Sequence, residues 1–220
     1  MIEIVIWIAT FIMLFLCVFW ISVLYFGLDE QKVKKEILKK NLLVTIAVPC
    51  YNEERSIIST LESIFALNYK NIEVIVIDDG STDKTPQLVE SFAKEHLLIF
   101  KKLNHEGKAH ALNCALNLAH GEFFSNVDAD SQVSKNTLEL LIPHFSEAHV
   151  GAVVPFMKIN LSNKLLLNIQ HIEYIIAGLI RSLMSSVETL HLTHGVMTVY
   201  KTALLKELKG FDEKTLTDDF

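Results

Sequence analysis

The chain has 220 residues, half of them hydrophobic, with a formal net charge of −6 and a mean hydropathy of +0.33. It is too apolar for an average soluble domain, and its acidity gives no support for nucleic-acid binding. Its three cysteines, Cys17, Cys50 and Cys114, form no close pair, so the spacing suggests neither a zinc site nor a disulfide framework, and free thiols suit a cytosolic domain.

The apolar excess sits at the front. Ile4 to Phe26 carries no charged side chain, and its only hydroxyls besides Tyr25 are Thr10 and Ser22. At about 1.5 Å per residue such a helix crosses a hydrocarbon core of roughly 30 Å. Trp7, Trp20 and Tyr25 lie toward its ends, where amphipathic rings favour the interface. A signal peptide is the rival reading. It wants a basic start and a small-residue cleavage site, whereas Glu3 is acidic and Tyr25-Phe26-Gly27-Leu28 cleaves poorly. Residues 1–28 therefore read as a transmembrane anchor and residues 29–42 as a basic linker. Lys32, Lys34, Lys35, Lys39 and Lys40 in that linker predict that the remainder of the chain faces the cytosol, and they suit acidic lipid headgroups as a second use.

The remaining residues, 43–220, suffice for one sizeable core. Leu42 to Pro49 reads as a buried strand, and Asn52 as the cap of a helix carrying Ile57, Ile58, Leu61, Ile64 and Phe65 at helical spacing. Glu73 to Ile77 is a second strand, Asp83 to Glu95 a helix with Pro86 in its first turn, and Leu97 to Leu103 a third strand. Gly107 to Ala119 is helical and Phe123 to Val127 is a fourth strand. Asn136 to Phe145 is a helix, Gly151 to Met157 a strand, and Leu165 to Met184 a long helix whose apolar residues read mainly as core. His194 to Tyr200 reads as a strand and Thr202 to Leu208 as a short helix. Strands alternating with helices predict an α/β fold with a mainly parallel sheet covered on both faces, and such sheets bind ligands beyond the carboxyl ends of their strands.

Short polar signatures stand at those ends. Asp78-Asp79-Gly80-Ser81 is also an ordinary turn. Lys108 opens a helix, where the dipole disfavours a cation unless an anion is bound; otherwise it is a solvated lysine. Asp128-Ala129-Asp130 follows an apolar strand. If the segment stays extended, both acids face one site and repel unless a cation such as Mg2+ joins them. The alternative is that Asp130 or Ser134 merely starts the next helix. Gly210-Phe211-Asp212-Glu213 reads as an approach to a buried site, followed by Asp218-Asp219, which taken alone is a charged tail.

Together the signatures resemble family 2 glycosyltransferases of the GT-A fold. The matching pieces are Val48-Pro49-Cys50-Tyr51-Asn52-Glu53-Glu54, Val76 through Asp83, Gly107 through Asn113, Asp128-Ala129-Asp130-Ser131 and Thr217-Asp218-Asp219. The resemblance implies a Rossmann-like nucleotide-sugar fold over residues 43–220, preceded by one transmembrane helix. It implies donor binding by Tyr51, Glu53, Asp79, Lys108 and Asp128, with UDP as the usual nucleotide. It implies Mg2+ or Mn2+ on Asp130, an acceptor region at Gly195 and Asp218, and Asp219 as the general base of an inverting transfer. Asp218 departs from the family's more usual glutamate, which keeps the charge and shortens the reach.

Within the family, Gln170 through Tyr174, Arg181 and Thr193-His194-Gly195 look most like membrane-anchored polysaccharide synthases such as poly-N-acetylglucosamine synthases. The implied partners are a UDP-sugar donor, a glycan or lipid-linked acceptor and the membrane, with no nucleic acid. Processive members carry a Gln-x-x-Arg-Trp motif and more membrane helices beyond the base. The chain stops before these and reads as incomplete at its C-terminus, with room for an accessory membrane subunit and with Asp219 ordered only in a longer chain. The rival readings are a single-addition enzyme acting on a lipid-linked acceptor, an inactive nucleotide-binding fragment, and a nucleotidyltransferase. The last would need a Gly-rich basic loop where Cys50 to Arg55 stands.

Overall fold

A computed structural model describes residues 2–30, 42–147, 149–157, 165–186, 189 and 196–214. The chain divides into two compact units, Met1–Lys34 with Phe156–His191 and Lys35–Pro155 with Leu192–Phe220.

In the larger unit the sheet is built around β1 (Val44–Cys50), every residue of which is buried. Alternate side chains of a strand point to opposite faces. Val44, Ile46 and Val48 accordingly meet Ile57, Leu61 and Ile64 of α2 (Ile57–Phe65), with Val89 of α3 (Thr85–Phe92) and Leu138 and Leu141 of α5 (Thr137–Leu141) in the same core. Ala47 faces the other way, toward Ala111, Leu112 and Ala115 of α4 (Lys108–Leu118) and Leu205 of α7 (Thr202–Glu207). Small residues on both sides of that second core allow α4 to lie close to the sheet.

The strand order is β3-β2-β1-β4-β6-β5, with β2 at Ile72–Asp78, β3 at Ile99–Lys102, β4 at Phe123–Asn126, β5 at Ala152–Val153 and β6 at Val199–Lys201. The first four strands are parallel; β6 runs antiparallel to β4 and to β5. The sheet is thus mainly parallel, as the alternating pattern predicts, with an antiparallel edge. The strand order reverses at β1, so β1 and β4 flank the crevice where open α/β sheets bind ligands.

Several expected elements differ in extent. β3 is a short edge strand with mostly exposed side chains, because β2 is its only neighbour in the sheet. The segment after β4 leaves the sheet early, and the helix expected from Asn136 to Phe145 is split into α5 and a tight turn of helix at Ile142–Ser146, where Pro143 lacks the N–H that would continue the α pattern. Asn52 does not cap α2. Its backbone has φ +55° and its side-chain oxygen accepts the Thr82 amide at 2.8 Å, while Ser56 occupies the cap position.

The smaller unit contains α1 (Ile2–Glu30) and α6 (Leu165–Ser186), which lie against each other. Within α1, Glu3–Ser22 is long and apolar enough to cross a membrane. Its hydroxyls are already satisfied: Thr10 donates to the Ile6 carbonyl at 2.9 Å and Ser22 to the Val18 carbonyl at 2.8 Å, which removes the cost of carrying them into hydrocarbon. The expectation that α6 is mainly a core helix is corrected. Leu165, Leu166, Ile169, Ile172, Ile175, Ile176, Leu179 and Ile180 are exposed. The basic linker lysines lie outside the described residues.

Candidate active site

The register of β1 and β2 sets the site. Cys50 pairs with Asp78, and the Asp79 amide donates to the Cys50 carbonyl at 2.9 Å, so the two chains leave the sheet side by side. Asp78 accepts the Ser81 amide at 3.2 Å and closes the turn; its role is local. The two loops are then tied together. Ser81 Oγ accepts the Asn52 amide at 2.9 Å, Thr85 Oγ1 accepts the Glu53 amide at 2.8 Å, and Asp83 accepts the Glu54 amide at 3.1 Å. Burial opposes ionisation of Asp83, but the Thr85 hydroxyl and the amides of Thr85 and Glu54 together outweigh it and hold the carboxyl below its usual range. Burial, reinforced by Asp78, Asp83, Glu53 and Asp79, pushes the Cys50 thiol up, so it stays protonated and unreactive.

Asp79 is almost completely buried. A buried carboxylate needs donors, and Asp79 finds two in the loop before α4: Glu106 N at 2.8 Å and Gly107 N at 2.9 Å. His105 Nδ1 approaches the same carboxylate at 3.2 Å and the Asp79 carbonyl at 3.1 Å. The face of the His105 ring lies on Tyr51, with centroids 4.2 Å apart and planes 27° apart. Tyr51 keeps 43% of its surface exposed, so an aromatic shelf and a buried acid stand next to each other. The Glu53 carboxylate accepts the Ser56 hydroxyl in the turn before α2.

Gly107, at φ +98°, turns the chain into α4, a conformation that a side chain would disfavour. Lys108 follows, and its ammonium lies 2.8 Å from Asp128 Oδ1. The anion that offsets a lysine at a helix start is therefore an acid of the chain itself. That pair joins α4 to the end of β4, next to β1 in the sheet.

Asp128-Ala129-Asp130 is not extended. β4 ends at Asn126, and Ser131 N donates to the Asp128 carbonyl at 2.9 Å, closing a turn. Ala129 is buried, and its carbonyl accepts the Thr60 hydroxyl at 2.8 Å. The turn leaves Asp128 with Lys108 and Asp130 exposed, its carboxylate 3.3 Å from the Ser131 hydroxyl. The helix-capping alternative fails, because α5 begins only at Thr137, with Asn136 before it.

No group of three His, Cys, Asp or Glu side chains able to hold a metal occurs among the described residues. One exposed carboxylate nevertheless fits Mg2+ or Mn2+ arriving with a diphosphate, since such ions take one or two protein carboxylates and complete their shell with phosphate oxygens and water. Gly195, Asp218 and Asp219 lie outside the described residues. Sequence reading missed His105, whose loop carries no periodic signal, and Thr85, and it did not single out Asp83 or Asn113 although they close the quoted Val76–Asp83 and Gly107–Asn113 motifs.

The family model for glycosyl transferase family 2 matches residues 45–209. A poly-beta-1,6-N-acetyl-D-glucosamine synthase of Staphylococcus epidermidis is 31% identical over 216 residues, covering 94% of this chain and 52% of that protein. The corresponding synthase of Staphylococcus aureus is 28% identical, over 93% and 52%. The chain thus spans about half the length of the curated relatives it matches. Among solved structures, a mannosyltransferase of Pyrobaculum calidifontis in complex with GDP-Man and Mn2+ superposes with a TM-score of 0.67 at 28% identity, covering 91% of this chain and 58% of that one. Residues 1–349 of S. aureus TarS in complex with UDP-GlcNAc give a TM-score of 0.58 at 27% identity, over 78% and 49%. On its sequence match and its fold alike, the chain belongs to glycosyltransferase family 2 and has the GT-A fold.

Proposed function

We propose that this chain is the anchored catalytic region of a membrane-bound, metal-dependent, inverting glycosyltransferase. It moves a sugar from a UDP-sugar to a growing polysaccharide or glycan acceptor. Residues 1–28 anchor it, residues 29–42 hold a basic linker on the cytoplasmic side, and residues 43–220 belong to the catalytic domain. The observation that carries this reading is the gathering of Tyr51, Asp79, Lys108 and Asp128 at the carboxyl ends of β1, β2 and β4. The synthase relatives favour UDP-N-acetylglucosamine as donor and a polymer as acceptor. The nucleotide sugars held by the two similar structures support a nucleotide-sugar site of the same kind.

In this reading Tyr51 offers a stacking face to the base, and the Asp79-held loop lines the pocket beside it. Lys108 exchanges Asp128 for the incoming diphosphate, a swap between two anions that leaves the cation paired throughout. Asp130 would hold the divalent ion, whose chemistry there would be to offset charge on the leaving diphosphate. Asp219 takes the proton of the acceptor hydroxyl, which then attacks the anomeric carbon from the face opposite the leaving group. The test is a screen of UDP-sugars and GDP-mannose with the membrane-embedded protein, scored for released nucleotide and for product length. A UDP-sugar giving a ladder of long products is expected. Single additions to a lipid would select the lipid-acceptor alternative, and no transfer from any nucleotide sugar would sink the reading.

A further inference from the structure

We propose that Asn113, with Gly210 opposite it, is a positioning device for the acceptor side of the transfer site. Its carboxamide clamps the Phe211–Glu213 backbone to α4, so one helix sets both Lys108 and the segment leading to Asp218-Asp219. This rests on the glycosyltransfer reading above.

The geometry is that of a strand neighbour imitated by one side chain. Asn113 Oδ1 accepts the Phe211 amide at 2.8 Å, and Nδ2 donates to the Phe211 carbonyl at 2.9 Å and to Glu213 Oε1 at 2.8 Å. Only a carboxamide supplies an acceptor and two donors together. Gln is one carbon too long, and Asp has no donor. Gly210 completes the fit. It sits at φ +76°, and a Cβ there would fall 2.3 Å from Asn113 Oδ1.

The Phe211 ring does not need this clamp to stay in place. It is buried, edge-on to Tyr200 with centroids 6.4 Å apart and tilted against Phe124 at 6.2 Å. Burial fixes the ring; the carboxamide fixes which way the peptide on either side of it points. Lys214 N donates to Asp212 Oδ1 at 2.9 Å and continues that course.

The clamp is also joined to the donor side. His110, one turn before Asn113, lies with Nδ1 3.3 Å from Glu213 Oε1 and Nε2 3.3 Å from Glu106 Oε2. Glu106 is the residue whose amide holds Asp79. Contacts therefore run without a gap from Asp79 through Glu106, His110 and Glu213 to Asn113.

The test uses the full-length membrane protein and three variants. N113D keeps the shape and removes both donors, G210A drives a methyl into the clamp, and N113D/E213Q exchanges donor and acceptor across the Asn113–Glu213 contact. For N113D and G210A, kcat for transfer should fall by about 10²-fold, the cost of a misplacement of about 1 Å. KM for the donor and UDP affinity should stay within about threefold, because the lost interaction acts on the transition state and not on donor binding. The double variant should recover part of kcat. Amide exchange at Phe211, which needs no activity, should quicken in G210A, whose methyl displaces the Asn113 Oδ1 that accepts this amide.

Unchanged kcat in N113D, or a kcat loss matched by equal losses in UDP affinity, would show a merely structural clamp and overturn the proposal. If the unmodified protein neither binds UDP nor transfers sugar, the glycosyltransfer reading falls and takes the positioning role with it. The two failures are distinct, since the first leaves an active parent enzyme.

Discussion

The Lys108 ammonium and the Asp128 carboxylate lie 2.8 Å apart, with 39% and 28% of their side chains exposed. A half-exposed pair of this kind contributes at most about 1 kcal/mol to folding. In the proposed reading its placement at the start of α4 and the end of β4 serves binding more than stability. Lys108→Met should therefore leave the denaturation midpoint nearly unchanged. It should weaken UDP by roughly 10- to 100-fold, the loss of one charge-assisted contact to an anion. Titration calorimetry alongside a urea melt separates the two; a large stability loss with intact UDP affinity would reverse the assignment.

Asp79 makes the opposite prediction. Its carboxylate is buried and filled by Glu106 N and Gly107 N. Asp79→Asn keeps the size but turns an NH2 toward one of those amides, stranding a donor at a cost of about 1–3 kcal/mol. Stability should fall, and hydrogen exchange at Glu106 and Gly107 should accelerate before any other amide in the sheet unit. Equal acceleration throughout that unit would mean the loop is not held by Asp79 in particular.

How much of this was legible in the sequence depends on how far apart the partners are. The apolar run Leu42 to Pro49 and the alternation of strands with helices each lie within short stretches of chain, so both the buried strand and the mainly parallel sheet are legible. Asn52 was misread because its partner, Thr82, is thirty positions away, and nothing local distinguishes a cap from a loop tie. Asp128-Ala129-Asp130 is expected extended and instead lies in a turn closed by Ser131 N on the Asp128 carbonyl; turn closure leaves no periodic trace. The apolar residues of α6 follow a helical period whatever covers them, so the pattern alone does not tell a core helix from an exposed one. Asn113 and Phe211 are 98 positions apart, and only the fold brings them together.

At the amino end of the sheet, Glu73 supplies a pH prediction. Partial burial opposes its ionisation, but bonds from the Thr45 hydroxyl at 2.6 Å, the His120 amide at 3.0 Å and the His120 ring at 2.7 Å prevail and lower its pKa. A carboxyl with a depressed folded pKa contributes stability that is present above the unfolded value, about 4.3, and is lost as pH falls through the folded one. Glu73→Gln should accordingly be less stable than the parent at pH 7, and the gap should close below about pH 4. Urea midpoints measured across that range check the sign; a gap that widens in acid would show that Glu73 is not held ionised by these bonds.

Asp130 and Asp219 carry the last prediction, which separates binding from chemistry. Asp130 is exposed and among the described residues contacts the Ser131 hydroxyl at 3.3 Å, so Asp130→Asn should cost little stability. It should lower UDP affinity only when Mg2+ or Mn2+ is present, and chelation should lower the parent protein to the same level. Asp219→Asn should abolish transfer while UDP binding stays nearly intact, because a general base acts on the acceptor hydroxyl and not on the nucleotide. Measuring UDP binding for both variants with and without metal is enough. If Asp219→Asn loses UDP as badly as Asp130→Asn does, the two acids share one role, and the division between a metal-holding and a proton-accepting carboxylate is wrong.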